Sequence, residues 1–353
     1  MKFDPQSIAR RLASWFSRHA RELPWRSNPD PYRVWISEIM LQQTQVATVI
    51  PYFERFIARF PDVRALAAAH LDDVLAQWSG LGYYRRARML HACSREIIAT
   101  HGGEFPGDYE AILDLPGIGR YTAGAIASIA FGQPRPVLDG NVERVLARLT
   151  ALRADVKSAA AQKKLWFWAT EVVEAAKSPS TVNQALMELG AMVCTPQNPG
   201  CKVCPLRATC AAKHAGIQEQ LPVRRKAAAS KAIRYAALIL CDARGRVLLT
   251  RREKSGESLL PHGLWEFPHV VWPARKVSPL RELSAIAGVS ITAVSEAAPV
   301  RHAIMNYRVE LVALAAKTSG RVTKTRPPQQ WFKPAELASL PMASATRKLF
   351  IAR

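Results

Sequence analysis

Hydrophobic periodicity changes once along this chain, and that change bounds what it can fold into. From residue 6 to about 212, apolar residues recur at three and four spacing, as in helices, with breaks at Pro51, Pro61, Gly102 and Gly107. Ile8, Leu12, Trp15 and Phe16 form one stripe, so the Arg-rich start reads as a packed helix rather than a transit peptide. Between Lys213 and Ala232 the periodicity lapses into a basic, alanine-rich stretch carrying Arg224, Arg225, Lys226 and Lys231, which reads as a linker. Beyond it Tyr235–Leu240, Val247–Arg251 and Val309–Ala315 read as strands, the first two joined by a turn at Asp242-Ala243-Arg244-Gly245. The expectation is a multidomain chain: an all-α domain over 1–212, a linker over 213–232 and an α+β domain over 233–353. A chain of 353 residues can bury cores of that size without staples.

Lys and Arg outnumber Asp and Glu by 49 to 28, a formal charge of +21 that favours a polyanionic partner. Nucleic acid is the first candidate and an anionic membrane surface the second. No apolar run is long enough to cross a bilayer, and the N-terminal stretch shows no h-region followed by a small-residue cleavage site, so no secretory signal is expected. A cytoplasmic, nucleoid-associated monomer is expected.

Four segments carry chemistry. In Tyr32–Val46, Glu38, Gln42 and Gln45 would share one face of a continuous helix; alone this reads as a solvated face, yet a glutamate set among apolar side chains would hold a proton at neutral pH and act as a general acid. Leu115-Pro116-Gly117-Ile118-Gly119 is a tight turn opening a helix, whose exposed amides can hold a phosphate oxygen; the helix-hairpin-helix pattern covers about 112–128. Asp139, before an apolar-striped helix, reads as a capping residue or as a second carboxylate facing Glu38, and sequence separation does not decide between them. Finally, Cys194, Cys201, Cys204 and Cys210 lie within 17 residues, spaced C-x6-C-x2-C-x5-C, while Cys93 and Cys241 stand apart. Such a set indicates a metal site over 194–210, zinc or [4Fe-4S], rather than disulfides.

In this order, from Leu23-Pro24-Trp25-Arg26 to Cys210, these segments resemble the MutY adenine DNA glycosylases of the endonuclease III superfamily. The resemblance implies a structural [4Fe-4S] cluster on the four cysteines and excision of adenine from A:8-oxoguanine or A:G mispairs in double-stranded DNA. It implies that Glu38 protonates adenine N7, that Asp139 stabilises the sugar cation or forms a covalent intermediate, and that Asn141 steadies Asp139. Tyr121 stands where bifunctional relatives carry a Schiff-base lysine, so hydrolysis without strong lyase activity is implied. Tyr83 and Gln43 match side chains entering the duplex beside the oxidised guanine, although the tyrosines at 83 and 84 also read as core aromatics. Arg26 and Gln184 match positions near the flipped adenine, and Gly117 and Gly119 the phosphate-binding turn.

The C-terminal part resembles the Nudix-like recognition module of the same family, from the strand around Leu238 through Gly263-Leu264-Trp265-Glu266-Phe267-Pro268 to Trp331-Phe332. Ala285 and Ile286 stand where a working Nudix hydrolase needs paired acids. Ile304-Met305-Asn306 replaces the Phe-Ser-His loop that many members use to sense the oxidised guanine. Three rivals follow: an endonuclease III-like glycosylase/lyase, a non-catalytic DNA damage-binding protein, and a nucleotide hydrolase working through the C-terminal domain.

Overall fold

The computed structural model describes residues 3–225, 229–251, 263–272, 278–289, 291–297, 299–304, 306–318 and 328–351. In chain order the first helices are α1 (Pro5–His19), α2 (Pro31–Leu41), α3 (Val46–Arg59), α4 (Val63–Ala68), α5 (Leu71–Gln77), α6 (Arg85–His101) and α7 (Tyr109–Asp114). They are followed by α8 (Arg120–Ile129), α9 (Gly140–Leu149), α10 (Ala159–Glu174), α11 (Pro179–Met192) and α12 (Ala211–His214). No described helix is long and apolar enough to cross a membrane. The chain divides into two compact units: Met1–Ala68 with Met89–Lys226, and Ala69–Arg88 with Ala227–Arg353.

The first unit is helical. Ile8, Leu12 and Trp15 of α1 are buried as their stripe requires, and they join Val142, Val145, Leu146 and Leu149 of α9 and Val182, Leu186 and Leu189 of α11 in one core. Caps set the helix starts: Asp4, Asp30, Asp108, Ser158 and Ser178 each accept a first-turn amide. Three of these helices, α1, α2 and α11, begin on proline, where the missing N–H costs nothing. One expected break is absent: Pro51 lies inside α3, which accommodates the lost amide hydrogen bond because its buried face, Val49, Phe53, Phe56 and Ile57, continues past it. Gly190 of α11 permits a close crossing with α9, since a Cβ there would meet Asn141 Cβ at 2.6 Å. That approach brings the start of α9 against α11.

In the second unit, β1 (Lys231–Cys241) and β2 (Val247–Arg251) form the expected hairpin, with Asp242 Oδ1 accepting the Arg244 and Arg246 amides across the turn. The other elements are β3 (Trp265–Glu266), β4 (His269–Val271), α13 (Leu280–Ala287), β5 (Ile291–Glu296), β6 (Val300–Ile304), β7 (Tyr307–Thr318), β8 (Gln329–Phe332) and α14 (Ser344–Ile351). The strands make one mixed sheet of order β3-β2-β1-β7-β5, with β4, β6 and β8 pairing β1, β7 and β2, and the β1–β7 ladder parallel. Period-two alternation gives β1 two buried faces. Tyr235, Ala237 and Ile239 join Ala345 and Leu349 of α14, and Ala236, Leu238 and Leu240 join Leu283 and Ala287 of α13. The same unit includes residues 69–88, which are docked by side chains: Ser79 Oγ and Tyr84 Oη donate to the Met342 carbonyl at 2.9 and 2.7 Å, and the Arg251 guanidinium grips the Asp72 carboxylate.

Candidate active site

The helix bearing Glu38 is shorter than its sequence pattern suggests. α2 stops at Leu41, Gln42 is its C-cap, and Gln45 is the N-cap of α3, so the three polar side chains do not share a helical face. A left-handed turn at Gln43 (φ 57°) interrupts the helix. Nor is the face solvated, because Glu38 is buried, 5% exposed.

Glu38 lies on the wall of a cavity of about 520 Å³ in the first unit. The same cavity is lined by Arg26, Gln43, Tyr121, Asp139, Asn141, Gln184 and Glu188, so residues scattered over α2, α8, α9, α11 and two loops meet in one place. Tyr121 Oη donates to Glu38 Oε2 at 2.5 Å and also contacts Met187 Sδ at 3.3 Å. Burial raises the Glu38 pKa to about 7, against the lowering effect of the Tyr121 hydrogen bond; the Asp139 charge raises it further and Arg26 opposes.

Asp139 takes both of its alternative roles. It caps α9, accepting the Asn141 and Val142 amides at 3.0 and 2.8 Å, and it is the second carboxylate of the cavity. Burial raises its pKa, while those amides, the Asn141 side chain (2.9 Å to Oδ2) and the Arg144 charge act against burial and favour the anion. The bonds continue: Arg144 Nη2 donates to Asn141 Oδ1 at 2.8 Å and Arg144 Nε to the Cys194 carbonyl at 2.7 Å.

The cavity wall also holds a group that the sequence pattern does not reveal. Glu188, 1% exposed, accepts from Arg21 Nε and Nη2 at 2.8 Å each and from Arg26 Nη2 at 3.0 Å, while Arg26 Nε donates to Gln184 Oε1 at 3.0 Å. Although burial works against it, these hydrogen bonds hold the Glu188 pKa at about 2. The available signal was its place four residues after Gln184 on α11, which puts both on one face.

Other expected site residues lie elsewhere. Gly117 (φ 80°) sits in the turn between α7 and α8, where a Cβ would meet Met89 Cβ at 2.9 Å, and Gly119 is the N-cap of α8, which no side chain caps. In the second unit Tyr83 is 49% exposed with φ 49°, whereas Tyr84 is buried, so the two tyrosines divide between a surface and a core role. The Arg86 guanidinium lies over both the Trp78 and Tyr83 rings, 5.3 and 5.4 Å from their centroids. Ile304 and Asn306 flank the β6–β7 turn, and Met305 lies outside the described residues. Ala285 and Ile286 stand on the exposed side of α13 and bring no carboxylate to it.

The four clustered cysteines line a second, small cavity together with Val145, Leu149, Leu189 and Arg148. Burial, then the neighbouring sulfurs, push the Cys204 thiol up to about 12 and raise Cys210, so these sulfurs persist as thiolates only around cationic charge. Arg148, 2% exposed, donates to Cys194 Sγ (3.4 Å), to the Thr195 and Pro196 carbonyls and to the Leu221 carbonyl, bracing the loop from behind. Among the described residues no three His, Cys, Asp or Glu side chains are drawn around a single ion position. The four cysteines line one cavity, and that donor set fits a thiolate-bound metal group.

Comparison with known proteins agrees with this arrangement. Residues 36–171 match the HhH-GPD superfamily of base excision DNA repair proteins, and residues 236–352 match the NUDIX domain. The human adenine DNA glycosylase is 36% identical, over 96% of this chain and 72% of its own length, and the rat protein 35%, over 98% and 78%. Among solved structures, a thermostable thymine-DNA glycosylase superposes with a TM-score of 0.54 at 26% identity, covering 60% of this chain and 97% of its own. A trapped covalent endonuclease III–DNA intermediate gives 0.51 at 25%, covering 61% and 100%. An acid-bearing cavity in a helix-hairpin-helix unit, a Nudix-like sheet after it and relatives aligned along nearly the whole chain lead to one conclusion: this chain belongs to the adenine DNA glycosylase family.

Proposed function

We propose that the protein excises adenine from double-stranded DNA by hydrolysing its N-glycosidic bond, acting on adenine opposite 8-oxoguanine or guanine. The observation that carries this reading is the buried Glu38, held near neutrality as an acid in the same cavity as the Asp139 carboxylate. A cavity of about 520 Å³ accommodates an extruded nucleoside, and a base must leave the stack to be reached. Glu38 delivers its proton to the departing adenine as the bond from sugar C1′ to the base breaks. The electron-deficient sugar then lies near Asp139, whose burial disfavours the anion while Asn141, two backbone amides and Arg144 favour it. Once ionised, Glu38 accepts a proton from the attacking water, leaving free adenine and an abasic sugar. Tyr121 is a phenol and cannot form a Schiff base, so strand cleavage does not follow.

Glu188, ionised, and the Arg26–Gln184 pair offer acceptors and donors suited to the polar edge of a purine. The uncapped start of α8 after Gly117 offers amides to a DNA phosphate. Tyr83, exposed and backed by Arg86, is suited to stacking against bases. Cys194, Cys201, Cys204 and Cys210 would hold a [4Fe-4S] cluster, which supplies cationic charge and cross-links the loop, while Arg148 and Arg144 fix the loop to α9. The test is single-turnover base release from duplexes with adenine opposite 8-oxoguanine, guanine or thymine. Release opposite the two guanines, lost in Glu38→Gln, is expected; a cluster-replete protein that releases no adenine refutes the reading.

A further inference from the structure

Beside the cavity lies a charge arrangement that the excision chemistry does not use. Glu143, on the first turn of α9, is 4% exposed, and a buried carboxylate is costly unless paired. Lys157 Nζ reaches both its oxygens at 2.8 and 2.9 Å, Gln162 Nε2 donates at 2.8 Å, and Arg224 Nη2 approaches at 3.6 Å. Two cations thus share one anion, leaving an excess positive charge at the surface. The backbone around Arg224 is anchored independently: the Val156 amide donates to the Val223 carbonyl at 3.1 Å, and Arg225 faces Asp155 at 3.8 Å.

The position matters as much as the charge. Arg224 Nη2 lies 3.8 Å from where a Cβ on Gly140 would project, and Gly140 lines the cavity between Asp139 and Asn141. The side chain is half exposed, and its contact to Glu143 is long at 3.6 Å, which leaves donors of the guanidinium available to an incoming anion. Lys157, also exposed, stands at the same carboxylate. A half-exposed guanidinium on an anchored backbone, with a second cation at the same carboxylate, suits a tetrahedral, doubly accepting anion.

We infer that Arg224, positioned by Glu143 and supported by Lys157, is a phosphate-binding site for the DNA backbone beside the extruded nucleotide. Its role is to hold the sugar-phosphate at the Asp139 end of the cavity while the base occupies the Glu38 end. The inference rests on the excision reading, since the anion is taken to be a DNA phosphate.

The test uses the full-length, cluster-replete protein and a duplex carrying a tetrahydrofuran abasic analogue opposite guanine, with binding measured across a salt series. Arg224→Ala should weaken binding several-fold and lower the slope of log K against log salt by about 1, one phosphate contact. Arg224→Lys should keep the salt slope but recover only part of the affinity, since it restores the charge and not the fork, and Arg225→Ala, 93% exposed, should cost less than Arg224→Ala. In base release from an adenine duplex, the DNA concentration for half-maximal rate should rise more than the saturated rate falls. An unchanged salt slope, or a loss confined to the saturated rate, overturns the inference while leaving the excision reading intact. Wild-type protein that binds no duplex overturns both.

Discussion

Replacing Tyr121 by Phe removes one hydroxyl and leaves the ring that fills the cavity wall. The lost hydrogen bond, 2.5 Å to Glu38 Oε2, favours the ionised carboxylate and so holds the Glu38 pKa below the value burial alone would set. A hydrogen bond to a charged group contributes about 1.5–3 kcal/mol, and one pKa unit is about 1.4 kcal/mol. Part of that bond survives when Glu38 is neutral, so the expected shift is upward by about one unit. In single-turnover base release measured against pH, the alkaline limb marks loss of the Glu38 proton, near 7 in the wild type. Tyr121→Phe should move that limb to about pH 8 even as the variant becomes slower at pH 6 through poorer alignment of the acid. A limb that stays in place, or moves to lower pH, refutes the assignment of Glu38 as the proton donor restrained by Tyr121.

Further predictions follow from the same contacts. Because the folded-state pKa of Glu38 is raised, the ionised form is penalised in the fold: stability falls as pH rises from about 4.5 through about 7, by on the order of 3 kcal/mol. Glu38→Gln should therefore raise Tm at pH 8 and leave it nearly unchanged at pH 4; thermal unfolding at the two pH values checks this, and a variant less stable at pH 8 contradicts it. Asp139→Asn should keep the α9 cap and most of the stability but lose base release, whereas Asp139→Ala should also cost about 1 kcal/mol by denaturant unfolding. Arg148→Ala should strip the Thr195, Pro196 and Leu221 carbonyls of their donor, destabilise the first unit by about 3 kcal/mol or more and lower iron and sulfide content on purification. Gly117→Ala must adopt a left-handed backbone and displace Met89, so duplex affinity should fall with Glu38 chemistry retained at saturating DNA.

Glu38 was legible as an acid only through the motif around it, because a glutamate and two glutamines at helical spacing look the same on a wet surface. What the spacing hid was the end of α2: Gln43 in a left-handed turn is a non-glycine breaker that periodicity does not register. Glu188, Arg144 and Arg148 were missed for a related reason. Each is a charged residue in an amphipathic helix and reads as exposed, but each is buried by a partner far away in sequence, Arg21 and Arg26 for the first and the cysteine loop for the others. Asp139 looked like a cap and is one, and only the fold brings it to the Glu38 cavity. In the sheet the β1–β2 hairpin was legible from its turn, while the parallel β1–β7 ladder depends on a long connection that leaves no local mark.

The grouping of residues 69–88 with the C-terminal sheet changes what a domain deletion measures. A fragment ending at Lys226 would lose the Met342 carbonyl that takes the Ser79 and Tyr84 hydroxyls and the Arg251 that holds Asp72, and Tyr83 lies between those anchors. Such a fragment lacks the Nudix-like sheet and, in addition, carries an exposed Tyr83 whose flanking anchors have been cut loose. A fall in selectivity after truncation would then combine two deficits, and point changes at Tyr84 or Asp72 in the intact chain are the way to weigh one against the other.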